Sequence, residues 1–483
     1  MKQILVSGLL AGFVLSGCAV GPDYHRPQVA TPTAFKEYGQ GTWASAMPKD
    51  GQPRGTWWAV YGDDELNALM VQVVVSNQNV AAALAQYRQT QALLGEARAA
   101  YLPSLSASLT ETRARNSGAG GAAGNGNPGV TQTARAGLSA SWEADVWGQV
   151  ARSVESGQAV AQASQSDLQS ALLSAQATLV QTWYQLRATE AQQALLERTV
   201  VAYSRSLEIA QHRQAAGVVS RVDVLQAEAQ LRSAQAQGLE LGVQRAQYEH
   251  AIAVLLGRPP GSFSVPPQVA RKKLFALSLV PPVPLALPSR LLERRPDVAA
   301  AERRMAAANA QVGVAQAAWF PVLSFSATGG YQNDSFAHLL SAPHRVWSLG
   351  PALAMSLFDG GARSARKESA MAAYDKAVAS YRQTVLTAFQ EVEDNLATLR
   401  LLAQEAEIQQ AASRAAEEAL RLTENQYRAG TVSYLNVVSA QASAFAAQRN
   451  DISIAGRRLL AHAALLKALG GEGAVDEHNA ATR

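Results

Sequence analysis

The residues able to do covalent or metal chemistry are few in this chain of 483 residues, which has one cysteine and seven histidines. The sequence holds no G-x-x-x-x-G-K-[ST] phosphate loop, no G-x-S-x-G nucleophile turn, no H-E-x-x-H zinc motif and no C-x-x-C pair. His338 and His344 share one segment without further ligands at useful spacing, and His250 and His462 lie in helix-type sequence. We interpret every histidine as solvated or packed, and we expect no catalysis, no metal and no cofactor.

The single cysteine, Cys18, ends an N-terminal processing segment. After Lys2 comes an apolar stretch, residues 4–15, that is too short to span a bilayer, and the segment closes in the letters LSGC at residues 15–18. This ending resembles the bacterial lipobox, in which a signal peptidase cleaves before the cysteine and the cysteine carries lipid on its sulfur and its new amino terminus. An ordinary signal peptide followed by a free cysteine explains less of the pattern. We expect removal of residues 1–17, a lipid anchor on Cys18 and transport to the outer membrane, since residue 19 is alanine and not aspartate.

Charge and composition exclude two broad classes of protein. The 42 basic and 38 acidic residues give a net charge of +4, which is too balanced to indicate a nucleic-acid partner. With 48% hydrophobic and 17% charged residues, the chain is also unlike an intrinsically disordered protein.

The sequence repeats itself. A shift of 218 residues superposes the letters VAAA at 80–83 on those at 298–301, and Pro103 on Pro321. A shift of 213 superposes Gly217 on Gly430 and Ser220 on Ser433. We predict two equivalent halves joined by a linker with eight prolines. The expected segments, in chain order, are an extended lipidated start at 18–63, a first repeat at 64–258, the linker at 259–288, a second repeat at 289–470 and a flexible tail at 471–483.

Each half contains one very long stretch of helix-forming sequence. The 59 residues between Gly157 and Gly217, and the 68 residues between Gly361 and Gly430, include neither glycine nor proline. Uninterrupted helices of this length reach roughly 90–100 Å, which suits a coiled coil, a bundle or a tube.

A pair of short strands precedes each long helix. Apolar residues alternate with mostly polar ones in two expected β-hairpins, at about 103–147 and 321–358. Strands of about ten residues with this alternation are typical of a transmembrane β-barrel, and a soluble sheet is the alternative. The smallest bacterial membrane barrels have about eight strands, whereas this chain supplies four. If the strands span a membrane, several chains must share one barrel, and their helices form a common tube.

The long helices end in two tight helical hairpins. Gly217 and Gly430 stop the outgoing helices, and Ser220 and Ser433 follow three residues later, where they can cap the returning helices. Asp223 stands three residues beyond Ser220, close to the positive end of the helix dipole. These turns are either simple helix connections or ordered tips at which a partner docks or a gate closes.

Several short motifs together resemble one family, the outer membrane factors of the TolC superfamily, in their lipid-anchored OprM/NodT-like branch. They are CAVGPDY at 18–24, WEAD at 142–145, RRPD at 294–297, FDGG at 358–361 and the two Gly-x-x-Ser tips. The resemblance implies a mixed, mainly α fold and a homotrimer with a shared twelve-stranded β-barrel and a periplasmic α-barrel. It also implies an exit duct for small molecules such as drugs, joined to a periplasmic adaptor protein and an inner-membrane transporter.

The same resemblance implies a gate at the tips. In TolC-like channels an aspartate six residues after the first tip glycine bonds a tyrosine three residues before the second, and Asp223 and Tyr427 hold those places. Helix capping is the alternative role of Asp223. The family's acidic positions after the second glycine are Asn436 and Ser439 here. We expect weak block of the pore by multivalent cations, because no ring of acidic residues can form at these positions.

Three other functions compete with this interpretation. A duct for type I protein secretion shares the fold and is the nearest alternative. A periplasmic adaptor requires a lipoyl-like β-domain split by a single helical hairpin, whereas this chain has two equivalent halves. A structural lipoprotein coiled coil does not need strand pairs joined by glycine-rich segments.

Overall fold

The computed structural model describes residues 19–27, 35–37, 55–115, 130–266 and 294–471. Cys18, the signal segment, most of the proline-rich linker and the C-terminal tail lie outside these ranges, as do the expectations attached to them. The chain divides into two compact units, each formed from three separate stretches of sequence. The strand unit comprises Met1–Gln28, Gln86–Ser164 and Ala301–Tyr381, and the helical unit comprises Val29–Ala85, Gln165–Ala300 and Arg382–Arg483.

Within the described ranges, seven α-helices and four β-strands follow one another with short 3-10 turns at Trp57–Tyr61, Pro260–Ser262 and Ala342–His344. The helices are α1 Asp64–Ser76, α2 Gln78–Ala99, α3 Gln149–Ala215, α4 Arg221–Leu255, α5 Pro296–Ala317, α6 Ala362–Arg428 and α7 Tyr434–Ala468. The strands are β1 Ser104–Arg115, β2 Val130–Ala144, β3 Val322–Asn333 and β4 Arg345–Ala354.

The internal duplication is visible in the lengths of the elements. Helices α2 and α5 both have 22 residues, α3 and α6 both have 67, and α4 and α7 both have 35. Strands β1 and β3 both have 12 residues. The two halves therefore repeat the same order of elements, and the predicted mainly α fold with four strands and a duplication is confirmed.

The four strands form one antiparallel sheet in the order β1-β2-β3-β4. Its register separates the side chains into two faces, because Leu105 lies opposite Ala140 while its neighbour Ser104 lies opposite Ser141. One face, here called the apolar face, includes Leu105, Leu109, Leu138, Trp142, Phe325, Leu349 and Leu353. The other, called the polar face, includes Ser104, Ser106, Ser139, Ser141, Ser326, Thr328 and Ser348.

Hydroxyl groups on the polar face bond one another across the strands. The Oγ atoms of Ser104 and Ser141 lie 2.8 Å apart, and those of Ser106 and Ser139 lie 2.7 Å apart. Apolar side chains on the other face are largely exposed, with 72% of Leu105 and 75% of Leu349 accessible. A sheet with one apolar and one hydroxylated face is the pattern of a strand set placed between lipid and water.

The core of the helical unit is built around two buried tryptophans. Trp57 donates from Nε1 to Oε1 of Gln176 at 3.1 Å, and Trp183 donates from Nε1 to Oδ2 of Asp63 at 2.9 Å. Both indole N–H groups are therefore satisfied inside the core, where an unpaired donor costs about 1–3 kcal/mol. Aliphatic side chains from α1, α3, α4 and α7 complete this cluster.

A buried arginine network supports the same core. The Arg187 side chain is 2% exposed, lies over the ring of Trp183 and bonds Glu65 at 2.6 Å and Glu190 at 2.7 Å. Arg245 joins Glu190 to Glu249 with contacts of 3.1 Å each. Each buried guanidinium has carboxylate partners, which is the condition under which burial of such charges is tolerated.

The stretch Asp64–Ala99 is long and apolar enough, by length and composition alone, to cross a membrane. In the structure it is two helices, α1 and α2, interrupted at Asn77, whose backbone is extended. The Asn77 side chain caps α2 by accepting from the N–H groups of Asn79 and Val80, and it donates to the carbonyl oxygen of Leu255 at 2.8 Å. The capped break ends one helix and starts the next.

This junction occurs a second time in the other half of the chain. Arg295 occupies the place of Asn77 and donates to the carbonyl oxygen of Ala468 at 3.2 Å, the residue equivalent to Leu255. Gly257 and Gly470 follow the returning helices in each half, with φ of 65° and 83°. A Cβ atom on Gly257 would overlap the carbonyl oxygen of Ser76. Glycine is required there by both backbone conformation and space.

Replacing Gly257 with alanine should therefore destabilise the protein by about 2 kcal/mol, because the substitution combines a left-handed φ with a collision. The thermal midpoint of the purified protein in detergent is the measurement. Gly95→Ala is the matched control, since Gly95 lies within α2 with nothing within 4 Å of the added carbon. An equal midpoint for the two variants would contradict this account of the junction.

Candidate functional site

The first helical tip is closed by a capping box. After α3 ends at Ala215, Gly217 adopts a φ of 71° and reverses the chain. Ser220 then caps α4: its Oγ accepts from the N–H of Asp223 at 3.4 Å, and Oδ2 of Asp223 accepts from the N–H of Ser220 at 3.0 Å. The two side chains satisfy each other's backbone groups, as expected from their spacing.

The second tip has the same path with weaker capping. Gly430 adopts a φ of 78°, and Ser433 occupies the cap position of α7 with an extended backbone. The Ser433 side chain makes no capping hydrogen bond, and the residue three positions on is Asn436 instead of an acid. The two tips are therefore alike in backbone and different in chemistry.

Tyr427 lies at the centre of a small hydrophobic cluster where the two hairpins meet. It is 8% exposed and packs with Ala210, Ala227, Tyr434 and Val437. The rings of Tyr427 and Tyr434 are 5.5 Å apart. Burial, with a contribution from the neighbouring Tyr427, raises the pKa of Tyr434 to about 12, so this phenol stays neutral at physiological pH.

Arg213 fastens the two hairpins together through Tyr427. Its Nη1 donates to the backbone carbonyl oxygen of Tyr427 at 3.0 Å, and its guanidinium lies 4.6 Å from the centre of the Tyr427 ring. Arg213 also stands in the last turn of α3, where a cation is favourable to the helix dipole. Arg213 was not among the residues predicted from the sequence, where its signal is a basic side chain four positions before the tip glycine.

The expected hydrogen bond between Asp223 and Tyr427 is not formed in this structure. The Asp223 carboxylate is engaged with Ser220 in the capping box, and the Tyr427 hydroxyl is buried without a hydrogen-bond partner among the described residues. In this structure Asp223 therefore caps α4, and Tyr427 makes its contacts through its ring and its backbone carbonyl oxygen. Asn436 and Ser439 are exposed on α7 and add no charge to the tip.

Residues 19–27 pack closely against other elements of the strand unit. The N–H of Val20 donates to the carbonyl oxygen of Trp147 at 3.1 Å, and Gly21 passes so close to Gly313 that a Cβ atom on it would lie 2.5 Å from the Gly313 Cα. A Cβ atom on Gly148 would lie 2.9 Å from the Cα of Ala19. Glycines at these crossings let backbone approach backbone.

Arg152 holds the same segment by its charge. This buried side chain donates to the carbonyl oxygen of Gly21 at 3.3 Å and forms an ion pair with Asp23 at 2.8 Å. The hydrogen bond from Arg152 lowers the pKa of the Asp23 carboxyl. Asn309 adds a bond of 2.8 Å to the carbonyl oxygen of Pro22. Residues 20–23, with the sequence VGPD, thus contact elements from both halves of the chain.

The histidines are placed as follows. His462 is fully buried with its Nδ1 2.8 Å from the Tyr61 hydroxyl, whereas His250 is exposed on α4. His338 lies in the loop between β3 and β4 with a φ of 61°. The described part of the chain contains no group of three or more His, Cys, Asp or Glu side chains that could hold a metal ion.

Comparison with known proteins identifies the family. The outer membrane efflux protein family matches residues 69–258 and again residues 287–471, one match for each half of the duplication. This chain belongs to the outer membrane efflux protein family. The two matches end at residues 258 and 471, each three residues after the last residue of a returning helix, α4 or α7. The predicted membership of the TolC superfamily is thereby confirmed.

Relatives and solved structures agree over nearly the whole chain. The outer membrane protein OprJ of Pseudomonas aeruginosa is 30% identical over 469 residues, covering 96% of this chain and 95% of OprJ. The pyoverdine export outer membrane protein OpmQ of the same species is 30% identical over 474 residues, covering 98% and 97%. The solved structure of the outer-membrane channel OprN has a TM-score of 0.83 at 28% identity, with 94% and 99% of the chains covered.

The contacts of Tyr427 predict how its variants behave. Arg213→Ala should loosen the tips and raise single-channel conductance, because it removes both the bond to the Tyr427 carbonyl and the ring contact, together worth about 1–3 kcal/mol. Tyr427→Phe is the matched variant and should leave conductance unchanged, since the hydroxyl has no partner to lose. Planar bilayer recording measures both. An increase in Tyr427→Phe with none in Arg213→Ala would support the aspartate–tyrosine gate instead.

Proposed function

We propose that this chain is one protomer of a homotrimeric outer membrane channel, the exit duct of a tripartite efflux pump of the RND type that exports small organic molecules such as drugs. The observation that carries the proposal is the four-stranded sheet, which has an apolar face, a polar face and two outer strands without neighbours in the described chain. Lipid offers no hydrogen bonds to open strand edges, so other copies must supply them. Three copies give the twelve strands that the family resemblance implies.

The polar face suits a passive duct. Serine and threonine hydroxyls bond across the strands and leave acceptors for water, so the wall is wet without being strongly charged. We propose that the protein has no enzymatic activity and no cofactor, and that its transporter partner supplies the energy. Small organic molecules are the expected cargo, because relatives carry names such as antibiotic efflux pump and toluene efflux pump outer membrane protein.

The helix tips are the proposed docking surface for the periplasmic adaptor. Gly217, Ser220, Gly430 and Ser433 shape two exposed turns beside apolar side chains. Val218 is 61% exposed and Leu435 is 55% exposed, so each turn presents an apolar side chain at its surface. An adaptor that covers them would gain apolar contact area, and the inner-membrane transporter would complete the pump.

The fitted start of the mature chain supports a lipid anchor on Cys18. Ala19 packs against Gly148, and Gly148 lies four residues after the end of β2 at Ala144. A lipid on the preceding residue would therefore start beside the strand ends, where membrane meets periplasm. Several acyl chains at about 0.8 kcal/mol per buried CH₂ anchor more firmly than one chain alone.

Deletion of the gene in its own host tests the proposed function. We expect a fourfold or greater fall in the inhibitory concentration of several unrelated antibiotics, restored by the wild-type gene and not by a variant lacking residues 104–144. The proteins secreted into the medium serve as the control. Loss of a secreted protein with unchanged drug susceptibility would favour the type I secretion duct.

Lipidation is tested by the mass of the mature protein. We expect the chain to begin at Cys18 with a covalently attached diacylglycerol and an amide-linked fatty acid, and cells fed radioactive palmitate should label it. Cys18→Ala should abolish the label. A mature chain with an unmodified cysteine thiol would contradict the anchor and leave the duct proposal intact.

A further inference from the structure

The polar face of the sheet carries one arginine, in the half nearer the β1–β2 connection, here called the outer half. On the polar-face positions of the four described strands, the charged residues are Arg135 in the middle of β2 and Glu143 next to the end of that strand. Arg135 lies opposite Thr110 on β1 and opposite Gln332 on β3. Its nearest neighbours on this face are threonine hydroxyls, glycines and the Gln332 amide, all of which are uncharged.

A neutral partner holds the Arg135 guanidinium in place. Nε and Nη2 donate to Oε1 of Gln332 at 3.1 and 2.5 Å. Arg135 is exposed, and no carboxylate of the described residues forms an ion pair with it. The amide fixes the orientation of the fork and leaves the full positive charge and the remaining N–H donors available.

In the assembled channel Arg135 faces the lumen, so the inference rests on the proposed function. A barrel of twelve strands at about 4.8 Å spacing and about 40° tilt is roughly 24 Å across between opposite backbones. Threefold symmetry places three Arg135 side chains at one level, pointing into that lumen from three directions. Between them the face carries mainly hydroxyls, and Glu143, the other charge on this face, lies eight residues further along β2, at a distance of roughly 26 Å.

We propose that the three Arg135 side chains form a binding site for one multivalent anion on the axis of the barrel. The ligand class is a small molecule with several phosphate or carboxylate groups, because each guanidinium offers a planar fork that fits one such group. Several anionic groups held at once gain from effective concentration, which a monovalent anion cannot do. The site would retain polyanionic solutes in the outer half of the duct.

Titration calorimetry on the whole protein purified from the outer membrane in detergent tests this site, with inositol hexakisphosphate as the probe. We expect one molecule bound per three chains and an affinity reduced about tenfold or more in Arg135→Gln. Arg135→Lys keeps the charge and loses the planar guanidinium, so its affinity for the probe should lie between those of the wild type and Arg135→Gln. Arg113→Gln is the matched control, because Arg113 lies on the neighbouring strand β1 at an apolar-face position and its loss changes the net charge equally.

Each result decides the proposal. No binding to the wild type, one molecule per chain, or equal affinities for Arg135→Gln and Arg113→Gln would overturn the anion site. The mass of the assembly and its single-channel conductance are measured on the same samples. A trimer that conducts but fails the titration removes the anion site alone, whereas a preparation that neither trimerises nor conducts in lipid contradicts the proposed function and the site with it.

Discussion

The hydrogen-bonding groups along the free edges of β1 and β4 set the main constraint on this molecule. In water an edge strand can be solvated, but in a bilayer each unpaired backbone group costs several kcal/mol. Over most of their length the four strands alternate between an apolar and a polar face, which suits lipid on one side and water on the other. A single chain cannot satisfy these edges, so the strand unit only becomes stable in a membrane as part of a closed ring. The polar face then becomes the inside, and its side chains become the wall of the duct.

The duplicated junctions explain how one short sequence pattern serves both halves of the helical unit. Asn77 and Arg295 differ in chemistry, yet each reaches the carbonyl oxygen at the end of a returning helix. Gly257 and Gly470 both adopt a left-handed backbone at the next turn. The two junctions therefore share a close backbone contact at the glycine and one side-chain hydrogen bond to a helix-end carbonyl oxygen, although the donor residue differs. Arg295 in addition bonds Asp297 and Glu391, so the second junction carries an ion-pair network.

Local patterns were sufficient to predict the helices, the hairpins and the capping box at Ser220, because each depends on residues near in sequence. The duplication was equally visible, since its spacing is fixed by paired glycine, proline and serine positions. The partner of Tyr427 was not predictable in this way: Arg213 is 214 residues away, and its contact depends on how the two hairpins pack. The family resemblance pointed to Asp223, which the local capping interaction engages instead. The role of Arg152 was hidden for the same reason, because the segment that it binds is distant in sequence.

The contacts of residues 19–27 make the two halves of the chain inequivalent. Residues 19–27 touch Gly148 and Arg152 from the first repeat and Gly313 and Asn309 from the second, and they do so once per chain. Three duplicated chains in a ring would otherwise approach sixfold symmetry, with six equivalent hairpins. The N-terminal contact, made once per chain, removes this equivalence within the strand unit, and the acid at Asp223 against the amide at Asn436 removes it at the helix tips. A partner that meets the tips therefore faces two kinds of turn in alternation, one with a carboxylate at the helix cap and one with an amide.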